Sequence, residues 1–406
     1  MATRYTRLLR FTAVLAVVIY VFVHRSFSKE RHQAILELKE QLHKEQHDLH
    51  SELVKPATGD DQGIKVEYRG EVNQSYEREN AVLFTLARNK EVAALARTVQ
   101  SIEDRFNRKF HYPWVFANNE PFSDQFKRQM TALVSGEVKF VEIPHEFWGY
   151  PDWVDQKKAM IARRGARGEM MYGGSESYRL MCRFFSGFFY KLEAMKQYDY
   201  SWRVEPGTEL LCDINYDVFK FMRSNDKHYG FAVSIHEFPD TIKTLWKAVS
   251  NFIGLHSRFI AQDNLLPFIS FDQGKSYNLC HFWTNFEIAD LNFFRSTAYE
   301  TFFQFLDSTG GFFYERWGDA PVHSIAVSLF MSKSNVHFFD DVGYFHTPST
   351  SCPINDEVWV KNRCICDQAH DVTFREYSCV NEFYEITGKK KPDGWESHRG
   401  NGDYFD

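Results

Sequence analysis

Hydrophobic and polar positions divide the chain into two textures that meet near residue 79. Beyond that point, apolar runs short enough for strands alternate with stretches of helical period. Ala81-Val-Leu-Phe-Thr-Leu-Ala87 is apolar at almost every position, the pattern of a strand buried on both faces. Arg88-Asn-Lys-Glu91 opens a helical pattern that runs to about Phe106, and Tyr112-Pro-Trp-Val-Phe-Ala117 reads as a second strand. Strand, helix and strand in such quick succession make a βαβ unit. The alternation continues with a helix over 175–195, a strand over 198–204 that stops at Glu205-Pro206-Gly207, and a strand over 229–234. A helix over 319–330 follows, with Asp319 as its cap and Pro321 in its first turn, and then a late strand over 336–339. The predicted fold class is α/β, a mixed and mostly parallel sheet flanked by helices, in one large domain over 79–406. Ligands of such sheets bind beyond the carboxyl ends of strands. Arg88 and Glu205 each stand just past a strand and are the first candidates.

Before residue 79 nothing can build a core. Arg4, Arg7 and Arg10 precede an apolar run from Phe11 to Val23, closed by His24 and Arg25. The run is short against the roughly 20 residues of a membrane span. A cleaved secretory signal and an uncleaved signal-anchor over 11–24 are the two readings. Bulky Val21-Phe22-Val23-His24-Arg25 occupies the place of a small-x-small cleavage site, which favours the anchor, with residues 1–10 as a cytosolic tail. Residues 25–78 are polar and read as a stem, without an aromatic residue between Phe27 and Tyr68. Ile35, Leu38, Leu42, Leu49 and Leu53 give it a helical stripe, read as a spacer helix with a weak homodimeric coiled coil as the alternative. The sequon Asn73-Gln74-Ser75 lies there, as expected of a luminal stalk.

Charge and cysteine content narrow the setting. A net charge of −6 with no long basic run disfavours a nucleic-acid partner. Seven cysteines, four of them in the loop-like last 55 residues, suit an oxidising compartment, and the odd number leaves at least one thiol unpaired. Cys364-Ile-Cys366 has no second pair to complete a zinc ribbon.

The chemistry concentrates in three stretches. Ser276 to Phe294 mixes aromatic rings, amides and the carboxylates Glu287 and Asp290. Tyr172-Gly-Gly-Ser-Glu-Ser-Tyr-Arg179 and Trp202-Arg-Val-Glu-Pro-Gly207 are equally unusual. Aromatic faces stack on sugar rings, and amides and carboxylates hold hydroxyls. No glycine-rich phosphate loop is present, so a dinucleotide or kinase site is disfavoured. An α/β protein with such a cleft suggests a glycosyltransferase that uses a sugar nucleotide and neutralises a departing diphosphate, commonly with a divalent cation. Asp-x-Asp is missing after the 198–204 strand. Glu205 takes that place, with Asp340-Asp341 or Asp213 and Asp217 as substitutes and His346 as a closing imidazole.

These blocks carry a resemblance. Ser101 to Phe110, Tyr172 to Arg179, Met181 to Phe184, Trp202 to Pro206, Cys212 to Asp217, Tyr277 to Leu291 and Gly310 to Ser324 are similar to blocks of the fungal Golgi α-1,2-mannosyltransferases, family 15 of the glycosyltransferases. The resemblance covers about residues 80–350. It implies a GT-A-like fold, GDP-mannose as donor, Mn2+ as cofactor, and retention of configuration on transfer to a mannose-ended glycan, O- or N-linked. It also implies a single-pass type II protein of the Golgi membrane with a luminal catalytic domain. Carried over residue by residue, it makes Glu205 and His346 metal ligands, Glu287 the nucleophile, and Asp319 an acceptor-side or proton-handling carboxylate. Tyr178 falls near donor and acceptor, and Arg88 and Arg203 fall on the cofactor with it. The plainer alternatives are an ion-paired carboxylate for Glu287, a helix cap for Asp319 and core packing for Tyr178. Asn215, Asn292 and Phe294 depart from the family pattern and bear on acceptor preference. The competing function is a non-catalytic mannan-binding or scaffold protein of the Golgi.

Overall fold

Two buried faces explain why the strands of this chain are apolar at nearly every position. In the computed structural model, which describes residues 76–400, twelve strands are present. They are β1 (Ala81–Leu86), β2 (Trp114–Asn118), β3 (Val138–Glu142), β4 (Tyr200–Val204), β5 (Glu209–Leu210), β6 (Tyr229–Phe231), β7 (Ser234–His236), β8 (Cys280–Phe282), β9 (Phe286–Asp290), β10 (Val336–Phe338), β11 (Tyr344–His346) and β12 (Ser349–Ser351). The main sheet runs β10-β6-β9-β4-β1-β2-β3. Its pairs are parallel except where β9 enters between β4 and β6, antiparallel to both. The sheet is therefore mixed and mostly parallel, as expected, and β9 is its reversed strand.

Side chains alternate across it with period two. Ala81 and Leu83 of β1 join one apolar cluster while Val82 and Phe84 join the other. Helices cover both faces, among them α1 (Val92–Arg105), α2 (Asp124–Leu133), α3 (Glu176–Gly187), α4 (Thr297–Ser308) and α5 (Asp319–Phe330). Leu95, Val99 and Ile102 of α1 and Phe126 and Met130 of α2 cover the Leu83 face. Phe184 and Phe185 of α3, Phe302 and Leu306 of α4, and Val322 and Ile325 of α5 cover the Val82 face. The same alternation sends Tyr200, Trp202, Val204, Phe286 and Ile288 into the α1 side. Arg203 and Glu287, intervening in β4 and β9, consequently turn toward the helices on the opposite side.

The structure departs from the sequence reading in five places. The strand expected over 229–234 divides into β6 and β7, which belong to different sheets. The helix expected over 175–195 ends at Gly187 and gives way to single turns at Phe189–Lys191 and Glu193–Met195. β3 and the reversed β9 were not expected as strands. Gly318, not Asp319, is the N-cap residue of α5, and Asp319 is its first helical residue. The tail is not all loop, since it carries helices Asp356–Lys361 and Val380–Thr387. Disulfides Cys212–Cys364, Cys280–Cys379 and Cys352–Cys366 pin that tail back, and Cys182 on α3 is a buried free thiol. Among the described residues no helix is long and apolar enough to cross a membrane, and the expected tail, anchor, sequon and nearly all of the stem lie outside them.

Candidate active site

A cleft of about 380 Å³ opens at the carboxyl ends of β1, β2 and β4, with Arg88, Asn118, Tyr172, Tyr178, Glu205 and His346 among its walls. Short-range rules place each of these. Arg88 follows β1, and its guanidinium donates to the Ser177 hydroxyl at 3.1 Å, which ties the strand end to the start of α3. Ser175 caps α3 by accepting from the Tyr178 amide at 3.1 Å. Tyr178 then stacks on Tyr172, ring centroids 4.5 Å apart, with the Arg316 guanidinium 5.1 Å from its own centroid. Burial pushes the Tyr178 hydroxyl well above the usual tyrosine pKa, so it stays protonated as a donor.

Glu205 is held by a tight turn. The Thr208 hydroxyl donates to the Glu205 carbonyl at 2.8 Å, and Gly207 sits at φ +91°, a conformation that disfavours side chains. The chain then enters β5, which pairs with β11 in the register Leu210 to Tyr344 and Glu209 to Phe345. That pairing brings His346 to the cleft, its Nε2 3.8 Å from Glu205 Oε2.

The donor set suits a divalent cation. His346 Nδ1 faces the Thr347 carbonyl at 2.9 Å and must carry the hydrogen, which leaves a lone pair on Nε2. Arg203 donates to Glu205 Oε1, which leaves Oε2 on the imidazole side. One carboxylate oxygen and one imidazole nitrogen, with positions open for phosphate and water, match an ion that accepts mixed O and N ligands. Asp340, Asp341, Asp213 and Asp217 are engaged elsewhere. Tyr384 donates to Asp340, Tyr216 to Asp341 and Arg105 to Asp213, and Asp217 caps Val218–Ser224.

Beneath the cleft lies a charged cluster. Arg203 is 5% exposed, lies on the Phe185 ring with 3.4 Å to the centroid, and donates to both Glu205 and Asp319. Burial alone would weaken its charge, but Asp319, Glu205 and Glu287 together raise its pKa above the ordinary value. Asp319, which also accepts from the Thr284 hydroxyl at 2.8 Å, shows the reverse balance. Burial raises its pKa, yet Arg203 holds the carboxyl below the usual carboxylate range. Arg203 was expected on the cofactor. It is instead committed to carboxylates, and its place is that of a clamp on Glu205.

Glu287 sits opposite Arg203 in the β4–β9 register and is 2% exposed. Its Oε2 accepts from the Tyr229 hydroxyl at 2.8 Å and meets His323 Nδ1 at 2.7 Å. It is buried and does not line the cleft. Tyr229, Thr284 and His323 were missed in the sequence. A signal existed for His323, four residues after Asp319 and hence on the same face of α5. Asn215 accepts from Lys109 and the Asn292 amide donates to Asp290, both away from the cleft.

Known proteins resemble this chain in sequence and in fold. The model of the family described as glycolipid 2-alpha-mannosyltransferase matches residues 34–388. The glycolipid 2-alpha-mannosyltransferase of Saccharomyces cerevisiae is 53% identical over 319 residues, 79% of this chain and 72% of that protein. The alpha-1,2 mannosyltransferase KTR1 of the same yeast is 53% identical over 325 residues, 80% of this chain and 82% of its own length. The crystal structure of core-mannan synthase A from Aspergillus fumigatus in its Mn/GDP form superposes with a TM-score of 0.72 at 35% identity, covering 78% of this chain and 87% of that one.

Proposed function

Because the chain belongs to the glycolipid 2-alpha-mannosyltransferase family, we propose that the cleft at the ends of β1, β2 and β4 transfers mannose from GDP-mannose to a mannose-ended glycan. The enzyme is an α-1,2-mannosyltransferase with Mn2+ as its metal and GDP-mannose as its donor. The carrying observation is the pair of free ligand atoms, Glu205 Oε2 and His346 Nε2, 3.8 Å apart at the cleft wall.

Glu205 and His346 hold the ion, and Arg203 keeps the Glu205 carboxylate in a single orientation. The bound ion supplies positive charge against the departing diphosphate. Arg88, tied to α3 through Ser177, adds its own charge on the nucleotide side. Tyr178, protonated and braced by Tyr172 and Arg316, donates to oxygen atoms between donor and acceptor. Asp319 is ionised and buried, so it orients Arg203 and receives a proton only as that contact loosens. Glu287, buried beneath the cleft floor, supplies the charge that stabilises an oxocarbenium-like state, and acts as nucleophile only if the floor opens to bring it to the sugar. The apolar run with its preceding arginines supports residues 11–24 as a signal-anchor, with the stem spacing a luminal catalytic domain from the Golgi membrane.

Incubating the protein with GDP-mannose, α-methyl mannoside and Mn2+, and assigning the product by NMR, tests this reading. An α-1,2-linked dimannoside formed only with metal is expected. Mannoside binding without turnover across a panel of acceptors would instead leave a mannan-binding scaffold. His346→Ala removes one of two protein ligands and is expected to raise the Mn2+ concentration for half-maximal rate by about 10- to 100-fold. An unchanged metal titration would take His346 out of the site.

A further inference from the structure

His323 lies fully buried on α5, one turn after Asp319, and both of its ring nitrogens are engaged. Nε2 is 3.1 Å from the Phe185 carbonyl oxygen, and Nδ1 is 2.7 Å from Glu287 Oε2. A carbonyl only accepts, so Nε2 carries a hydrogen. A ring protonated there alone would present a bare lone pair at Nδ1 to a carboxylate oxygen. Two acceptors do not sit at hydrogen-bond distance without a proton between them, so the pair holds one more. It is either imidazolium facing carboxylate or imidazole facing carboxylic acid, with the same atoms and the same zero net charge. The surroundings favour keeping that proton. Arg203 is a single guanidinium already facing Asp319 and Glu205 as well as Glu287. Without the shared proton, two buried carboxylates, Asp319 and Glu287, and the partly exposed Glu205 would crowd one cation.

We propose that His323 is the positioning residue of Glu287, holding its carboxylate in one orientation and carrying the proton that would otherwise quench its charge. The inference rests on Glu287 being the charge beneath the sugar. As positive charge grows at the anomeric carbon, the shared proton settles on Nδ1. The Oε2–H bond gives way to Nδ1–H, the electron pair stays on the carboxylate, and no proton enters or leaves the pair. The Phe185 carbonyl keeps the Nε2 hydrogen, and Tyr229 keeps Oε2 tethered. Oε1 makes no hydrogen bond among the described residues, so both anchors act through Oε2.

The test compares His323→Phe, His323→Asn, Glu287→Gln and the His323→Phe/Glu287→Gln double variant in full-length protein, with GDP affinity and cooperative unfolding as controls for the fold. His323→Phe is expected to lower kcat about 100-fold, with GDP affinity and acceptor KM within about three-fold. Asn can donate from the place of Nδ1, and kcat should recover to within about ten-fold of wild type. The double variant should be no slower than Glu287→Gln alone, since the two residues act as one unit. His323→Phe with wild-type kcat, or with only KM raised, while Glu287→Gln is inactive, would reduce His323 to packing and leave the role of Glu287 standing. Glu287→Gln at wild-type rate would remove that role itself. Should His323→Phe fail to fold, the smaller His323→Leu is judged by the same criteria.

Discussion

Glu287→Gln should retain GDP binding within a few fold and lose at least about 10³ in kcat. The substitution keeps the size and the hydrogen-bonding capacity of the side chain. With the amide nitrogen in the place of Oε2, one of its hydrogens can go to His323 Nδ1, now unprotonated, and the other to the Tyr229 hydroxyl oxygen, which turns from donor to acceptor. The sheet and α5 therefore have no reason to move, and what is removed is the negative charge together with the proton it shares with His323. Because Glu287 does not line the cleft, the nucleotide loses nothing it touches. A charge closed off from water is worth far more to a developing cation than an exposed one, which is why the expected loss is large. Steady-state kinetics with GDP-mannose and a mannoside, beside calorimetric titration of GDP, measure both quantities. A large loss of GDP affinity, or turnover within ten-fold of wild type, would count against Glu287 as the charge beneath the sugar.

Arg203→Ala should be the most damaging single change to stability, at about 3–5 kcal/mol. It strands Asp319, which is 4% exposed, and frees Glu205 from its clamp. It also empties the space over Phe185. Most of the cost comes from Asp319, since Glu205 is partly open to water and is screened. Arg203→Lys restores a charge but not the fork that serves two carboxylates at once, and should recover only part of the stability. Arg203→Ala combined with Asp319→Asn should recover more, because the stranded charge is gone. Urea unfolding midpoints of the three variants order them. An Arg203→Ala protein within 1 kcal/mol of wild type would mean that water reaches the cluster.

Some of the site was open to sequence reading. Arg88 and Glu205 follow from the rule that ligands meet a parallel sheet beyond its strand ends, and the apolar runs made those ends visible. Glu287 stood out as a carboxylate among aromatic rings and His346 as an imidazole after a late strand, but their roles, like those of Asp319 and Tyr178, came through the resemblance, not through periodicity. A periodic signal for the cluster was nevertheless present. Arg203 and Glu287 are charged residues at inward positions of strands apolar on both sides, and a buried charge in such a place needs a partner. Asp319 and His323, four apart on a helix whose only other polar residues are Ser324 and Ser328, are the matching pair from above.

The chain by itself determined the alternation of strands and helices, the two-faced burial of the sheet and the residue types of the cleft, because these depend on side-chain period and strand-end position, which are local. Tertiary structure alone decided that β9 runs against its neighbours, that β11 pairs with β5 and so delivers His346 to Glu205, and which cysteines join. It also decided that Arg203 meets Asp319 and Glu205 and that Glu287 meets His323. Each of these depends on contacts between segments far apart in sequence, where register and the partner of a buried charge are settled only when the sheet and helices close on one another and exclude water.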